Sequence, residues 1–295
     1  MLALPTYRAS SACRGRLTSI NLTNDLCRSF CSASRHGLAS ALHLMASMLR
    51  FLPLLLFYGM VGTPPLAAHA EPSVCPQKMV LVSGQYCPKL SQDCLEWMER
   101  PRAGDGRCRL FAAAKCLAPR VPMRFCIDVD EATSRADGRP MARVSWRGAA
   151  ASCKASGRRL CLESEWNFAC EGEEMLPYPT GLVRDSSKCN FDHANILDRQ
   201  GKPLDLRKPP TDACKSPFGV RNLVGNIDEW TIRDVTWGPF RGALKGGWWL
   251  AGRNRCRPAT TAHGESYRDF QTGFRCCKSI EGPDVPPHAN SSNER

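Results

Sequence analysis

The chain has 295 residues, a formal net charge of +12 and 17 cysteines. Its length allows one large domain or two modest ones. The basic residues are scattered and do not form a stripe with interleaved aromatics, which argues against a nucleic-acid-binding surface. We therefore expect the positive charge to belong to a solvated surface.

Residues 1–70 are predicted to be a leader for export and not part of the fold. A basic residue precedes the apolar run 51–61, and an Ala-His-Ala sequence ends at Ala70. Such a combination is typical of a secretory signal peptide, and the run is too short to span a bilayer, which takes about 20 residues. We expect translation to start at Met45 or Met48, cleavage after Ala70, and a secreted or periplasmic protein without membrane attachment. A membrane anchor or a buried helix is the alternative that the cleavage site disfavours.

The cysteine count supports the same boundary. Three of the 17 cysteines precede residue 70, which leaves an even 14 in the exported chain. An oxidising compartment makes disulfides the default for such a count. No C-x-x-C sequence occurs, which argues against zinc ribbons and thioredoxin-like redox sites. Residues 1–70 contribute +5, so the exported chain carries +7.

The first part of the exported chain, residues 71–126, is rich in cysteine. The pattern predicts a strand at 79–83, a short helix at 92–100 and a loop at 101–107. The sequence does not determine how its six cysteines pair. They are Cys75, Cys87, Cys94, Cys108, Cys116 and Cys126.

A second strand is predicted at residues 124–131, and it carries three acidic side chains. Asp128, Asp130 and Glu131 resemble a carboxylate cluster, but general acid–base chemistry needs partners that the fold places beside them. We interpret these acids as a strand edge that faces water.

Two helices are expected next. Ser145 caps the first, at residues 146–156, and Gly157 ends it. The second covers about residues 163–170.

Residues 171–221 predict a long loop. Loops of this length are usually functional or held by disulfides or metal, and Cys189 and Cys214 fit either kind of cross-link. Short strands with aromatic residues are predicted after it, at 230–233, 243–245, 248–250 and 273–276. Residues 281–295 are expected to be a disordered tail.

Five motifs resemble one family in the order in which that family has them. Residues 141–166 resemble its VSW and GKRLPTEAEWEYA segments, 222–231 resemble NIVGNAWEWT, and 245–248 and 273–276 resemble RGGSW and GFRC. Together they resemble the formylglycine-generating enzyme, or sulfatase-modifying factor, family, over about residues 79–278. The resemblance implies an α+β fold of the irregular C-type-lectin-like kind, rich in loops and stapled by disulfides.

The resemblance also implies a chemistry from which this sequence departs. The founding enzymes oxidise a sulfatase cysteine to formylglycine, using molecular oxygen and copper held by a reactive cysteine pair. The corresponding interval here, residues 248–255, contains no cysteine, and Ala251 stands where the nearer thiol would align. Because copper(I) needs thiolate or thioether ligands, we do not expect copper.

Structural cysteines match the family better. The resemblance implies that Cys153 pairs with Cys276 and that Cys170 pairs with Cys256. A free reactive thiol at Cys256 or Cys276 is the alternative. Cys277 points opposite Cys276 if both lie in a strand, and we suggest Cys161 as its partner.

Calcium is the second ligand that the resemblance implies. Hard oxygen donors from a tight turn suit calcium, and by position they come from Asn222, Gly225, Ile227 and Glu229. Another family site corresponds to Asn195 and Ile196, with Asp205 as a doubtful third ligand. The alternative is a turn that is merely capped by Asn and Glu side chains.

Two classes of function stay open, because a fold does not determine a function. The first is a binding module for an extracellular peptide or glycan, since aromatic and arginine side chains are typical of recognition surfaces. Its cleft would be lined by Trp248, Trp249, Arg253, Arg255 and Tyr267, although both tryptophans could equally be core residues. The second is an enzyme: a formylglycine-generating oxidase, or a non-haem iron oxidase using His193, His263 and a carboxylate. The missing cysteine pair favours the first class.

Overall fold

The computed structural model describes residues 74–99, 106–133, 136–235 and 238–280, all within one compact unit, Ala67–Arg295. The predicted leader with Met45, Met48 and Ala70, the tail at 281–295 and most of the predicted loop at 101–107 lie outside these ranges. Within them, no helix is long and apolar enough to cross a membrane.

Short strands, two helices and long connections make up the described residues, which confirms the predicted α+β, loop-rich class. The helices are α1 (Trp146–Ala155) and α2 (Glu163–Glu171). The strands are β1 (Met79–Tyr86), β2 (Leu90–Ser91), β3 (Cys94–Trp97), β4 (Cys108–Phe111), β5 (Lys115–Cys116), β6 (Val121–Asp128), β7 (Arg159–Leu160), β8 (Asp228–Ile232), β9 (Gly242–Lys245), β10 (Ala259–Thr260), β11 (Thr272–Phe274) and β12 (Cys276–Ser279).

One four-stranded sheet has the order β1-β6-β12-β7. β1 and β6 pair antiparallel along their whole length, from Met79 opposite Asp128 to Tyr86 opposite Val121. Both strands were predicted from their apolar residues, and side chains such as Val82 and Phe125 are fully buried. This sheet therefore supplies one wall of the core.

The second four-stranded sheet, β10-β9-β8-β11, holds most of the C-terminal motifs, and β11 runs parallel to β8. The strand predicted at 248–250 is wrong, because only Leu250 forms an isolated bridge, with His193. Gly246 and Gly247 have φ angles of 82° and 73°, in the left-handed region that favours glycine. They turn the chain out of the sheet directly before the two tryptophans.

Both helices form where local signals predicted them. The Ser145 hydroxyl accepts a hydrogen bond of 3.1 Å from the Gly148 N–H and so caps α1. Gly157, with φ of 67°, follows the end of that helix. The helix predicted at 92–100 is wrong, since this segment forms β3, paired with β4. Pairing with a strand more distant in sequence outweighs the local preference there.

Seven disulfides join all 14 cysteines between residues 74 and 280. The implied Cys153–Cys276 and Cys170–Cys256 bonds and the suggested Cys161–Cys277 bond are present, so a free thiol at Cys256 or Cys276 is excluded. The pairs that the sequence left open are Cys75–Cys126, Cys87–Cys116, Cys94–Cys108 and Cys189–Cys214.

Two of the three acids at and after the end of β6 are buried, so the interpretation of a water-facing edge is wrong for Asp128 and Glu131. Asp128 is 8% exposed, accepts a 2.6 Å bond from Arg158 and also accepts from the Cys276 N–H. Glu131 is 4% exposed and accepts a 2.8 Å bond from the Asn226 amide. Burial raises the pKa of both carboxyl groups. These acids are structural partners inside the core.

A fully buried lysine closes β9. The Lys245 ammonium donates to the Arg257 carbonyl at 2.7 Å, lies 3.5 Å from Glu163 and sits 5.5 Å from the centre of the Trp166 ring. Burial lowers the pKa of Lys245 to about 8, although Glu163 opposes the shift.

We expect the folded protein to become more stable relative to a Lys245→Met variant as pH rises from about 8 to 10.5. In this window the unfolded chain binds a proton that the folded chain does not, so stability rises with pH. The limit is about 3.5 kcal/mol, for 2.5 pKa units at about 1.4 kcal/mol each. Urea unfolding of both proteins across this range measures it, and parallel stability curves would contradict the expectation.

Candidate functional site

An aromatic cluster follows the Gly246–Gly247 turn. The ring centres of Trp248 and Trp249 lie 5.1 Å apart, and Phe270 lies 5.2 Å from Trp248 and 5.9 Å from Trp249. Trp249 is 1% exposed and so packs as a core residue, whereas Trp248 is only partly buried. Of the two predicted cleft tryptophans, Trp248 is the one that solvent reaches.

Beside this cluster, β8 places a buried acid against one of the predicted arginines. The Asp228 carboxylate accepts a 2.7 Å hydrogen bond from the Arg253 guanidinium, whose side chain is 32% exposed. Burial raises the pKa of Asp228 to about 6, against the opposing effects of Arg253 and the Gly247 N–H. The pair fixes a half-exposed guanidinium at the surface.

Sequence reasoning missed Asp228. The available signal was its position in the 222–231 motif, where the family pattern NIVGNAWEWT has its first tryptophan. An acid in place of a large apolar side chain, in a strand that is buried throughout this motif, marks a local change of function or packing.

Three buried polar atoms in this neighbourhood have no hydrogen-bond partner among the described residues. They are Trp249 Nε1, Arg253 Nε and Gln271 Oε1. Contacts connect the three residues. The Trp249 ring contacts Phe270, which precedes Gln271 in the chain. The Gln271 carbonyl accepts a 2.8 Å bond from the Asp228 N–H, and the Asp228 carboxylate binds Arg253. Each buried polar group without a partner costs about 1–3 kcal/mol, and three of the five such atoms among the described residues lie in this neighbourhood.

Tyr267 joins the same neighbourhood through Gln271, whose amide donates to the Tyr267 hydroxyl at 3.3 Å. The His263 ring stacks on Tyr267 with centres 3.8 Å apart. Arg255, in contrast, lies over the Phe111 ring at 5.1 Å, at the end of β4. The predicted cleft residues therefore divide, and Arg255 packs against the cysteine-rich N-terminal part.

The family model that describes a sulfatase-modifying factor enzyme 1-like domain matches residues 118–280, more than half of the chain. The chain belongs to the sulfatase-modifying factor family. This confirms the resemblance read from the motifs.

Curated relatives cover only part of this family member, and it covers only part of them. It is 27% identical to the serine/threonine-protein kinase pkn1 of Chlamydia caviae over 161 residues, 48% of this chain and 24% of the kinase. It is 31% identical to the formylglycine-generating enzyme of Mus musculus over 102 residues, 31% of this chain and 26% of that enzyme. The inactive C-alpha-formylglycine-generating enzyme 2 of the same species is 30% identical over 162 residues, 49% of this chain and 50% of that protein.

Solved structures to which the chain is similar include CarF and, from Pseudomonas aeruginosa, PvdO. CarF has a TM-score of 0.45 at 14% identity and PvdO a TM-score of 0.45 at 16% identity. Each comparison covers 70% of this chain, with 99% of CarF and 96% of PvdO.

At the Asn222–Glu229 turn, where the family implies a calcium site, Arg275 already binds the carboxylate that calcium would use. The Glu229 carboxylate receives two 2.6 Å hydrogen bonds from Arg275 and one of 2.8 Å from the Trp166 indole. A cation at this turn, with donors from Gly225 and Ile227 as well, has to share a carboxylate whose charge Arg275 already balances. The residues present fit calcium less well than the motif alone indicates.

The second implied calcium site fits no better. The Ile196 carbonyl accepts a 2.8 Å bond from the Leu204 N–H, and Asn195 is exposed. Asp205 is held by Arg207 at 2.7 Å. In the part of the chain that the structure describes, no three His, Cys, Asp or Glu side chains are grouped to hold a metal ion.

Calcium binding stays a prediction, with a site in the millimolar range typical of weak extracellular modules. We expect added calcium to raise the midpoint of thermal unfolding and a chelator to reverse the rise, because an ion that binds only the folded state stabilises it. A Glu229→Gln variant is the control and should lose the response. An unfolding midpoint that does not move at millimolar calcium would contradict the prediction that the folded protein binds calcium.

The donors required for the two oxidase chemistries are not assembled among the described residues. Every cysteine there is in a disulfide, so no thiolate is offered to copper(I). The His193 ring contacts Asn190 at 2.9 Å, and His263 stacks on Tyr267. Neither histidine belongs to a group of three metal-binding side chains in the described ranges.

Proposed function

We propose that this chain is an extracytoplasmic binding module of the sulfatase-modifying factor family, which recognises a peptide or glycan and has lost copper-dependent cysteine oxidation. One observation carries the proposal: all 14 cysteines between residues 74 and 280 are in disulfides, and the interval 248–255 contains none. The chemistry of the founding enzymes needs two reactive thiols in that interval.

Recognition is supported by the side chains that occupy the interval instead. Trp248 presents a partly exposed ring, and Asp228 holds the Arg253 guanidinium in a fixed position at 2.7 Å. Aromatic rings and ordered guanidinium groups are the side chains enriched at binding surfaces. A guanidinium has five N–H donors, so the bond to Asp228 leaves others for a ligand.

Export is supported by the disulfides. Seven bonds within about 200 residues are typical of proteins that fold in an oxidising compartment. The names of the relatives support neither outcome over the other, because one at 31% identity is named as the enzyme and one at 30% as inactive.

A divergent enzyme is the second candidate, and one observation favours it. Asp228 is a buried carboxyl group with a pKa raised to about 6, next to a half-exposed arginine. Acids of this kind serve as general acids or bases near neutral pH. The bond from Arg253 to Asp228 also positions the guanidinium, which is the role that the binding-module proposal gives to Asp228.

Thiol titration of the exported, unfolded protein tests the proposal together with an assay for formylglycine. We expect no titratable thiol, and no conversion of a sulfatase-motif peptide in the presence of copper and oxygen. A Cys256→Ala variant, which frees Cys170, is the positive control for the reagent and should give one thiol. Aldehyde formation by the unmodified protein would overturn the proposal.

A further inference from the structure

A pocket of about 130 Å³ opens beside the aromatic cluster, between Trp249 and Phe270 on one side and the segment 202–207 on the other. Arg143 and Lys202 contribute to its rim. A cavity of about 150 Å³ holds one benzene molecule. At about 130 Å³ the pocket is slightly smaller than that, so it takes one ring at most, with any group attached to the ring outside it among the exposed side chains.

The charge of the pocket is positive. Its one acid, Asp205, is bound by Arg207 at 2.7 Å and approached by Arg139 at 3.5 Å. The side chains of Arg143 and Lys202 are exposed and form no ion pair within 4 Å among the described residues. Two cations whose charge no neighbouring acid balances thus face a pocket with aromatic walls.

The backbone beneath Arg143 is held in a costly conformation. Its φ of 58° lies in the left-handed region, which costs a residue other than glycine about 1–3 kcal/mol. Backbone hydrogen bonds hold it there, from the Arg143 N–H to the Asp269 carbonyl at 3.1 Å and from the Val144 N–H to the Thr272 carbonyl at 3.1 Å. The loop therefore fixes where this arginine starts, next to Phe270.

The aromatic wall also carries a donor without a partner. Trp249 is 1% exposed, and its Nε1–H has no acceptor among the described residues. Arg143 and Lys202 are exposed and hydrated, so the buried indole N–H is the donor of this wall that lacks a partner.

We infer that this pocket binds a single-ring carboxylate, with its ring against Trp249 and Phe270 and its anionic group near Arg143 and Lys202. The inference rests on the proposed binding role and names the ligand class for it. An aromatic acid and a pyranose acid share the required chemistry: one ring and one carboxylate whose oxygens accept hydrogen bonds.

The test follows the indole N–H resonance of Trp249 in the full exported chain labelled with ¹⁵N-tryptophan. Benzoate and glucuronate are the two ring acids, acetate is the carboxylate without a ring, and benzyl alcohol is the ring without a charge. The resonance is assigned as the one that disappears in Trp249→Phe. We expect saturable movement with one or both ring acids, and little with acetate or benzyl alcohol; which acid binds more tightly distinguishes the two ligand sources.

Charge dependence is tested with an Arg143→Asn/Lys202→Gln double variant. Asparagine tolerates the left-handed conformation, so the loop should keep its shape. Loss of two charge-assisted contacts should weaken binding at least about tenfold, whereas Lys154→Gln/Lys278→Gln, which removes two exposed lysines elsewhere, should leave it unchanged.

No movement with either acid, equal movement with benzyl alcohol, or equal weakening by both double variants would overturn the inference. The thiol and formylglycine assays report separately. If they succeed while the ring acids fail, the binding module stands with a different ligand; if aldehyde forms, the proposed function fails whatever the pocket binds.

Discussion

Replacing Arg275 with methionine is expected to destabilise the protein by about 3–5 kcal/mol, because it leaves a buried carboxylate without a counter-charge. Arg275 and Glu229 are both fully buried, and two hydrogen bonds of 2.6 Å join them. The remaining guanidinium N–H groups donate to the carbonyls of Asp128, Val129 and Arg221. Methionine has a similar volume and none of these donors, so three carbonyls lose a partner as well.

Urea unfolding measures the loss of stability, and two further variants serve as controls. Arg275→Met/Glu229→Gln removes the charge that the single variant leaves behind and should recover part of the stability. Lys278→Met changes an exposed residue on neighbouring β12 and should cost no more than about 0.5 kcal/mol. A loss below about 1 kcal/mol for Arg275→Met, or a double variant that is no better, would contradict this account of the core.

The same variant also probes the calcium turn. Arg275 and a calcium ion compete for the Glu229 carboxylate, so removing Arg275 should make the turn a better cation site. We expect calcium to raise the unfolding midpoint of Arg275→Met more than that of the unmodified protein. Equal responses would indicate that any bound calcium does not use Glu229.

How far the sequence predicted the fold depends on the distance between interacting residues. The cap at Ser145, the glycine after α1 and the apolar strands β1 and β6 are local signals, and each element formed where they indicated. Asp128 and Glu131 were misinterpreted because their partners are 30 and 95 residues away in the chain. A run of acids looks the same in sequence whether it faces water or a buried arginine.

The site shows the same division. The motif order identified the family, and the missing thiols in 248–255 were visible directly. The contact of Trp248 and Trp249 with Phe270, and the position of Arg255 over Phe111, depend on how loops return to the sheet. No periodicity in the sequence encodes these contacts, so the sequence predicts the cleft residues without showing which of them lie together.

Two neighbouring disulfides are expected to contribute to stability in a coupled way. Cys153–Cys276 and Cys161–Cys277 each span more than 100 residues, with sequence separations of 123 and 116. Their first cysteines are nevertheless only eight residues apart, and their second cysteines are adjacent. When one bond is intact, the other therefore closes a loop of only about ten residues. In the chain-entropy description, such a loop contributes about 3 kcal/mol to the free energy of unfolding. Removing either pair alone, as Cys153→Ala/Cys276→Ala or Cys161→Ala/Cys277→Ala, should therefore cost far less than its sequence separation indicates.

Removing both pairs is expected to cost more than the sum of the two single removals. With neither bond present, the next constraint is Cys170–Cys256, nine residues from Cys161 and 21 from Cys277, which leaves a loop of about 30 residues open. The second removal then costs about 4 kcal/mol instead of about 3, a coupling of about 1 kcal/mol. Urea unfolding of the two double-alanine variants and the four-alanine variant measures this coupling. Strictly additive losses would show that the bonds stabilise the protein through local packing around Cys153 and Cys161, and not by restricting the unfolded chain.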